Sequence, residues 1–147
     1  SKAMTQKTPS LQMNEAQLMT FMREVFHQVA DEFEVEHVAD NEITVRLLVT
    51  EKHLRPGGTV SGPSMFALAD VCAYLGTLAM IGPKALAVTT NCAIDFMRKP
   101  AANTDLIAKG RLLKLGKQLA VSDVLVYSDG LDKPVARASL TYAIPPK

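Results

Sequence analysis

The sequence has no tryptophan, only 5% aromatic residues and a formal net charge of +1. Without aromatics interleaved with basic clusters it lacks the stacking platform of a single-strand nucleic-acid binder. Without a field of one sign it has no electrostatic footprint for a duplex or an anionic membrane. Cysteine is scarce: Cys72 and Cys92 sit in apolar runs with no CxxC spacing. That excludes a disulfide framework and reads as buried thiols in a reducing, cytoplasmic compartment. The three histidines, His27, His37 and His53, match no metal-ligand spacing, so no metal is expected, and the first two read as exposed surface residues. With 48% hydrophobic and 21% charged residues and only 8 Pro and 8 Gly, neither disorder nor a fibrous repeat fits.

What is present suits one domain, since 147 residues leave no room for two cores. Ser1-Lys2-Ala3 before Met4 reads as an expression scar, no signal-peptide pattern follows, and the polar tail to Gln12 is expected to be mobile. The single domain is then 13–147. Asn14 with Gln17 forms a capping-box start, and Leu18, Phe21, Met22, Val25 and Val29 recur at helical spacing, predicting an amphipathic helix to about residue 31. Phe33 and Val35, then Ile43, Val45, Leu47 and Val49, alternate on either side of Asp40-Asn41, the pattern of a hairpin. From Leu86, alternation predicts a half-buried strand with Leu86, Val88, Cys92, Ile94 and Phe96 on one face and Thr89, Asn91 and Asp95 on the other. Residues 105–115, 118–128 and 134–144 read as three further strands, broken at Gly116-Lys117 and at Asp129-Gly130.

Between the strand groups, Ser61-Gly62-Pro63-Ser64 opens a run from Met65 to Ile81 that is apolar on all sides. Pro63 suits a first helical turn. A helix of this kind is expected to be buried all round. It is short for a membrane span and carries an acid at its centre, so a core helix wrapped by a sheet is the better reading. The expected fold class is therefore α+β.

That acid, Asp70, is the only charged residue between Arg55 and Lys84. An ionised carboxylate among apolar side chains costs several kcal/mol unless it is hydrogen-bonded, paired or facing water. Two readings stay open: a structural acceptor inside the core, or a base or nucleophile at a cleft or interface. The helix start is the second feature. Its free N–H groups and positive dipole end suit a carboxylate, a phosphate or a developing oxyanion, and Gly62 leaves the backbone open to approach. A plain cap is the commoner use of such a start, and Ser61 fits it. At about 1.5 Å rise per residue, Gly62 and Asp70 lie roughly 12 Å apart along the helix. If they act on one carbonyl, the second must come from another subunit of a symmetric pair.

Three stretches, RPGGTVSGPSMFALAD at 55–70, AVTTNCAIDFMRKP at 87–100, and KLGKQLAVSDVLVYSDG with VARASLTYAI behind it, resemble the hotdog-fold acyl-CoA thioesterases of the PaaI-like, phenylacetate-pathway type. The resemblance runs from about residue 33 to 144. It implies a long central helix wrapped by a curved antiparallel sheet, a homodimer or dimer of dimers, and hydrolysis of acyl-CoA with no cofactor besides the coenzyme A of the substrate. It further implies that the Gly62 N–H polarises the thioester carbonyl, that Asp70 of the second subunit activates water or attacks directly, and that the Thr89 hydroxyl positions the water. Arg55, Arg98 and Lys99 become candidates for the coenzyme A phosphates, alongside Lys109, Arg111, Lys114 and Lys117. Ser61 and Pro63 border the carbonyl site, and Phe66 and Tyr74, one turn from Asp70, can line an acyl pocket or simply pack the core.

This chain departs from the family in two places. Ser61-Gly62-Pro63 stands where the family reads His-Gly-Gly, and Arg55 lies near a position often held by Asn. Losing an oxyanion donor costs about 100- to 1000-fold in rate. The rival from another class is therefore a hotdog protein that binds an acyl-CoA or acyl-carrier thioester without cleaving it. Thioester hydration on the same fold normally recruits a histidine, which this stretch lacks.

Overall fold

The computed structural model describes residues 10–146. Helix α1 spans Glu15–Val25, hairpin strands β1 and β2 span Phe33–Ala39 and Glu42–Leu47, helix α2 spans Gly62–Ile81, and strands β3 to β6 span Val88–Phe96, Leu106–Leu115, Leu119–Ser128 and Pro134–Ala143. Short 3-10 turns occupy Ala30–Glu32 and Glu51–His53. The expected scar lies outside the described residues. The tail is not loose as far as Gln12: the Leu11 N–H donates to Asp40 Oδ1 at 2.9 Å and the Gln12 N–H to the Ala79 carbonyl at 2.6 Å, pinning the entry to α1 against both hairpin and central helix.

The six strands form one antiparallel sheet in the order β1-β2-β4-β5-β6-β3, with α2 lying across one face. This is the expected hotdog arrangement. Leu68, Cys72, Leu75 and Leu78 of α2 are buried against Val45, Leu106, Val124, Val126 and Leu140 of the sheet. Two glycines let helix and sheet approach: a Cβ on Gly76 would lie 2.9 Å from Ile43 Cγ2, and one on Gly110 would lie 2.9 Å from Cys72 Sγ.

Four further expectations change. Helix α1 ends at Val25, not near 31; its capping box and its buried Leu18, Phe21 and Met22 are as expected. Val25, Phe26 and Val29 are β-branched or aromatic, poor helix continuers. The Phe26 ring instead meets Tyr74 edge-on at 5.6 Å while its carbonyl accepts from Val29 and Ala30. Helix α2 is not buried on every side: Pro63, Phe66 and Ala67 form an open stripe, with Phe66 40% exposed, and half-buried Asp70 ends it. Strand β3 is not half-buried but an edge strand, with Val88 55% and Phe96 52% exposed, because among the described residues it pairs only with β6. Cys72 is buried as expected, whereas Cys92 on β3 is only partly so.

The Gly110 contact sets a testable limit on packing. Gly110→Ala forces its methyl into Cys72 and Ile43 and is expected to lower stability by about 1–3 kcal/mol, read as a lower urea midpoint at unchanged slope.

Candidate active site

Asp70 faces the far end of the sheet, where its Oδ1 accepts a hydrogen bond from Thr89 Oγ1 at 2.7 Å and a short one from the Tyr142 hydroxyl. The same phenol lies 2.9 Å from the main-chain oxygen of Asp70. Thr89 on β3 and Tyr142 on β6 stand directly opposite each other in the ladder. The register slips between Thr89 and Asn91, leaving Thr90 as an extra residue. A bulge re-aims the side chains on one side of it. Simple alternation puts Thr89 on the face opposite Cys92 and Ile94. The bulge instead turns it to the helix side with them, and turns Val88 outward.

Tyr142 was not among the candidate residues of the sequence. Alternation does place it on the buried face of the last strand, and a buried tyrosine hydroxyl needs a partner. That Asp70 is this partner depends on the pairing of β6 with β3, which no local pattern carries. Burial, the Asp70 charge and the hydrogen bond to it together hold the Tyr142 phenol above its ordinary range. Tyr74, one turn from Asp70, is buried and donates to the Ala85 carbonyl at 3.2 Å; burial pushes it up to about 12. Burial first, then Asp70, also raises the Cys92 thiol.

At the other end of the stripe, Ser61 caps α2: its Oγ accepts from the Ser64 N–H at 3.3 Å. Among the described residues the Gly62 N–H has no acceptor, as befits a first-turn donor. A Cβ at Gly62 would touch the Phe96 ring at 3.4 Å, so the backbone there is screened on one side by an aromatic face. The preceding loop is tight. The Arg55 N–H donates to the Thr59 carbonyl at 2.9 Å, and Gly57 and Gly58 turn it with φ of 104° and 85°. Buried His53 anchors it: the ring Nδ1 accepts from the Thr50 N–H at 2.9 Å, so Nε2 carries the proton toward Glu32 at 2.6 Å, and the His53 carbonyl accepts from the Ser61 N–H at 2.8 Å. Burial works against the Glu32 carboxylate, but its bonds to His53 and Lys52 prevail and hold it below its ordinary value. His27 and His37 are exposed, as expected.

Arg55, Gly62, Phe96, Arg98 and Lys99 line one cleft of about 590 Å³. Arg98 is held there by donating to the Pro134 carbonyl at 2.8 Å. The larger groove, about 840 Å³, lies on the outer face of the sheet and contains neither Gly62 nor Asp70. Lys109 lies over the Tyr127 ring there and Arg111 pairs with Glu42, so these two sit apart from the Gly62 cleft. Among the described residues no group of three His, Cys, Asp or Glu converges as a metal site. The chain thus carries two polar features on one helix, a carboxylate clasped by two hydroxyls and a backbone donor beside a basic cleft, separated by roughly 12 Å of helix rise.

Comparison with known proteins identifies the family. The family profile described as Thioesterase superfamily matches residues 57–135, which include helix α2 with Gly62 and Asp70, Thr89, and strands β3 to β5. A crystal structure of a thioesterase candidate from Silicibacter sp. TM1040 is 55% identical, covers 94% of this chain and 96% of its own, and superposes with a TM-score of 0.88. The phenylacetic acid degradation protein PaaI from Thermus thermophilus, in a mutant crystal structure, is 29% identical over 86% of this chain and 99% of that one, with a TM-score of 0.68. A Streptococcus pneumoniae protein crystallised with coenzyme A, described as a hypothetical thioesterase, shares the fold at 20% identity and a TM-score of 0.74, covering 86% of this chain and 98% of its own. With its helix, sheet order and sequence all in agreement, the chain belongs to the thioesterase superfamily and is a hotdog-fold thioester hydrolase.

Proposed function

We propose that the protein hydrolyses acyl-CoA thioesters at sites shared between two subunits, each site using Gly62 of one chain and Asp70 of the other. The observation that carries this reading is the split itself: a carboxylate and an unengaged backbone donor on one helix, too far apart to serve one carbonyl. Exposed Val88, Phe96 and Met97 along the edge of β3, and the open stripe of Pro63, Phe66 and Ala67, form an apolar surface suited to a second copy. Pairing the β3 edges antiparallel about a two-fold axis extends the sheet and brings the two central helices side by side, each helix start toward the middle of the other.

In the shared site, the thioester carbonyl oxygen accepts from the Gly62 N–H, strengthened by the helix dipole. Asp70 either takes a proton from the attacking water or attacks the carbonyl carbon itself. In the first route the water oxygen bonds to carbon, its proton passes to Asp70, and the C–S bond breaks as the thiolate leaves and is reprotonated. In the second the Asp70 oxygen bonds to carbon, the C–S bond breaks as the thiolate leaves and is reprotonated, and water then opens the acyl-aspartyl anhydride to the free acid and the Asp70 carboxylate. The Thr89 hydroxyl donates to Asp70. Its lone pairs remain to accept from the water. Arg55, Arg98 and Lys99 provide the positive cleft for the coenzyme A phosphates, and the ligand of the Streptococcus pneumoniae relative belongs to that chemical class. Ser61 serves as the cap and Pro63 as the rigid first turn, while Phe66 offers its exposed ring to the acyl chain.

Asp70→Asn is expected to lower thiol release from a panel of short, long and aromatic acyl-CoAs by about 100-fold or more with the circular dichroism and elution volume unchanged. Turnover at the wild-type rate would remove Asp70 from the chemistry. Lys99→Ala and Arg55→Ala should each raise KM roughly three- to tenfold with little change in kcat, an effect that fades in high salt. An unchanged KM for both would place the phosphates elsewhere.

A further inference from the structure

Tyr142 meets Asp70 through a bond that the proposed chemistry does not yet use. It is nearly fully buried, at 3% exposure, on the helix-facing side of β6. Its hydroxyl and that of Thr89 both donate to the same carboxylate oxygen, Oδ1. Among the described residues Oδ2 has no hydrogen-bond partner. The phenol also reaches the main-chain oxygen of Asp70 at 2.9 Å.

Resting on the reading of Asp70 as the reacting carboxylate, we infer that Tyr142 is a positioning residue that fixes Oδ1 in place and so selects Oδ2 as the oxygen that takes the water proton or attacks the thioester. Two donors on one oxygen hold the carboxylate plane against rotation about χ2, which is otherwise a soft torsion. They also draw charge onto Oδ1. When Oδ2 accepts a proton, Oδ1 becomes a weaker acceptor, and the phenol proton has the adjacent main-chain oxygen to turn to. A buried tyrosine is thus hydrogen-bonded in both states of the acid and need not be left unsatisfied at either stage. A phenylalanine would fill the same space, so packing alone does not explain the hydroxyl. The other titratable groups facing Asp70 are Tyr74 on the same helix and Cys92 on β3; both are held protonated above their ordinary values. Neither supplies a competing charge near neutral pH.

The test is Tyr142→Phe beside Asp70→Asn, in single-turnover hydrolysis of the acyl-CoA that wild type cleaves best. A donor to a charged acceptor is worth enough that its loss should lower the rate about tenfold or more while KM stays within about twofold. A rate equal to wild type, or a slower rate with KM raised in step, would make Tyr142 a core aromatic and overturn the inference. If Asp70→Asn is itself fully active, the reading of Asp70 fails first, a different result from the other two. Should Tyr142→Phe not fold, 3-fluorotyrosine at 142 keeps the volume and makes the phenol a stronger donor. It should change the single-turnover rate with KM unmoved, and an unchanged rate would overturn the inference.

Discussion

The constraint on which the site depends is a carboxylate placed in the middle of a helix whose other central residues are apolar. Asp70 lies among Leu68, Ala69, Val71 and Cys72, and an ion there is tolerated only if its environment supplies donors. The sheet supplies two, from Thr89 and Tyr142. They come from β3, the element that follows α2, and from β6, the last strand of the chain. Their convergence fixes the pairing of the last strand with the edge strand, and the bulge at Thr90 is the local irregularity that turns Thr89 inward. Function and fold meet in that one register.

The opposite end of the stripe obeys a different constraint. A backbone donor must stay unengaged at the start of α2 while the loop before it is held rigid. The loop achieves this with its own hydrogen bonds, two glycines of positive φ and the buried His53–Glu32 pair behind it. The consequence is a rigid donor next to a cleft lined with Arg55, Arg98 and Lys99. Separating donor and carboxylate along one straight helix makes a second subunit part of the proposed site. It also gives the exposed apolar edge of β3 a use, since an edge left bare invites unspecific pairing.

Much of this was legible in the chain. Helix α2, its Pro63 start, the Asp40-Asn41 hairpin and the three C-terminal strands follow from local pattern, and the isolation of Asp70 marks it at once. The features that were not legible are those set by tertiary pairing. Alternation through Thr89 assigns it the wrong face because a bulge leaves no mark in composition. Strand β3 looks half-buried because its apolar residues are real, yet its place at the edge of the sheet depends on strand order. Helix α1 stops early where Phe26 leaves the helical path and meets the Tyr74 ring, a contact the local sequence does not carry. Tyr142 was visible only as a core position, since its partner Asp70 lies on α2, 72 residues away along the chain.

The central claim is that each site draws on two chains, and subunit complementation tests it directly. Asp70→Asn removes the carboxylate, and Gly62→Pro removes the donor N–H at a first-turn position that proline tolerates. Each variant alone should be nearly inactive. Mixed in equal amounts, unfolded together and refolded, half the dimers are hybrids in which one of the two sites is intact, so activity should return to about a quarter of wild type. If the mixture stays as inactive as its parents while hybrid dimers are demonstrably formed, donor and carboxylate act within one chain and the shared-site account is wrong.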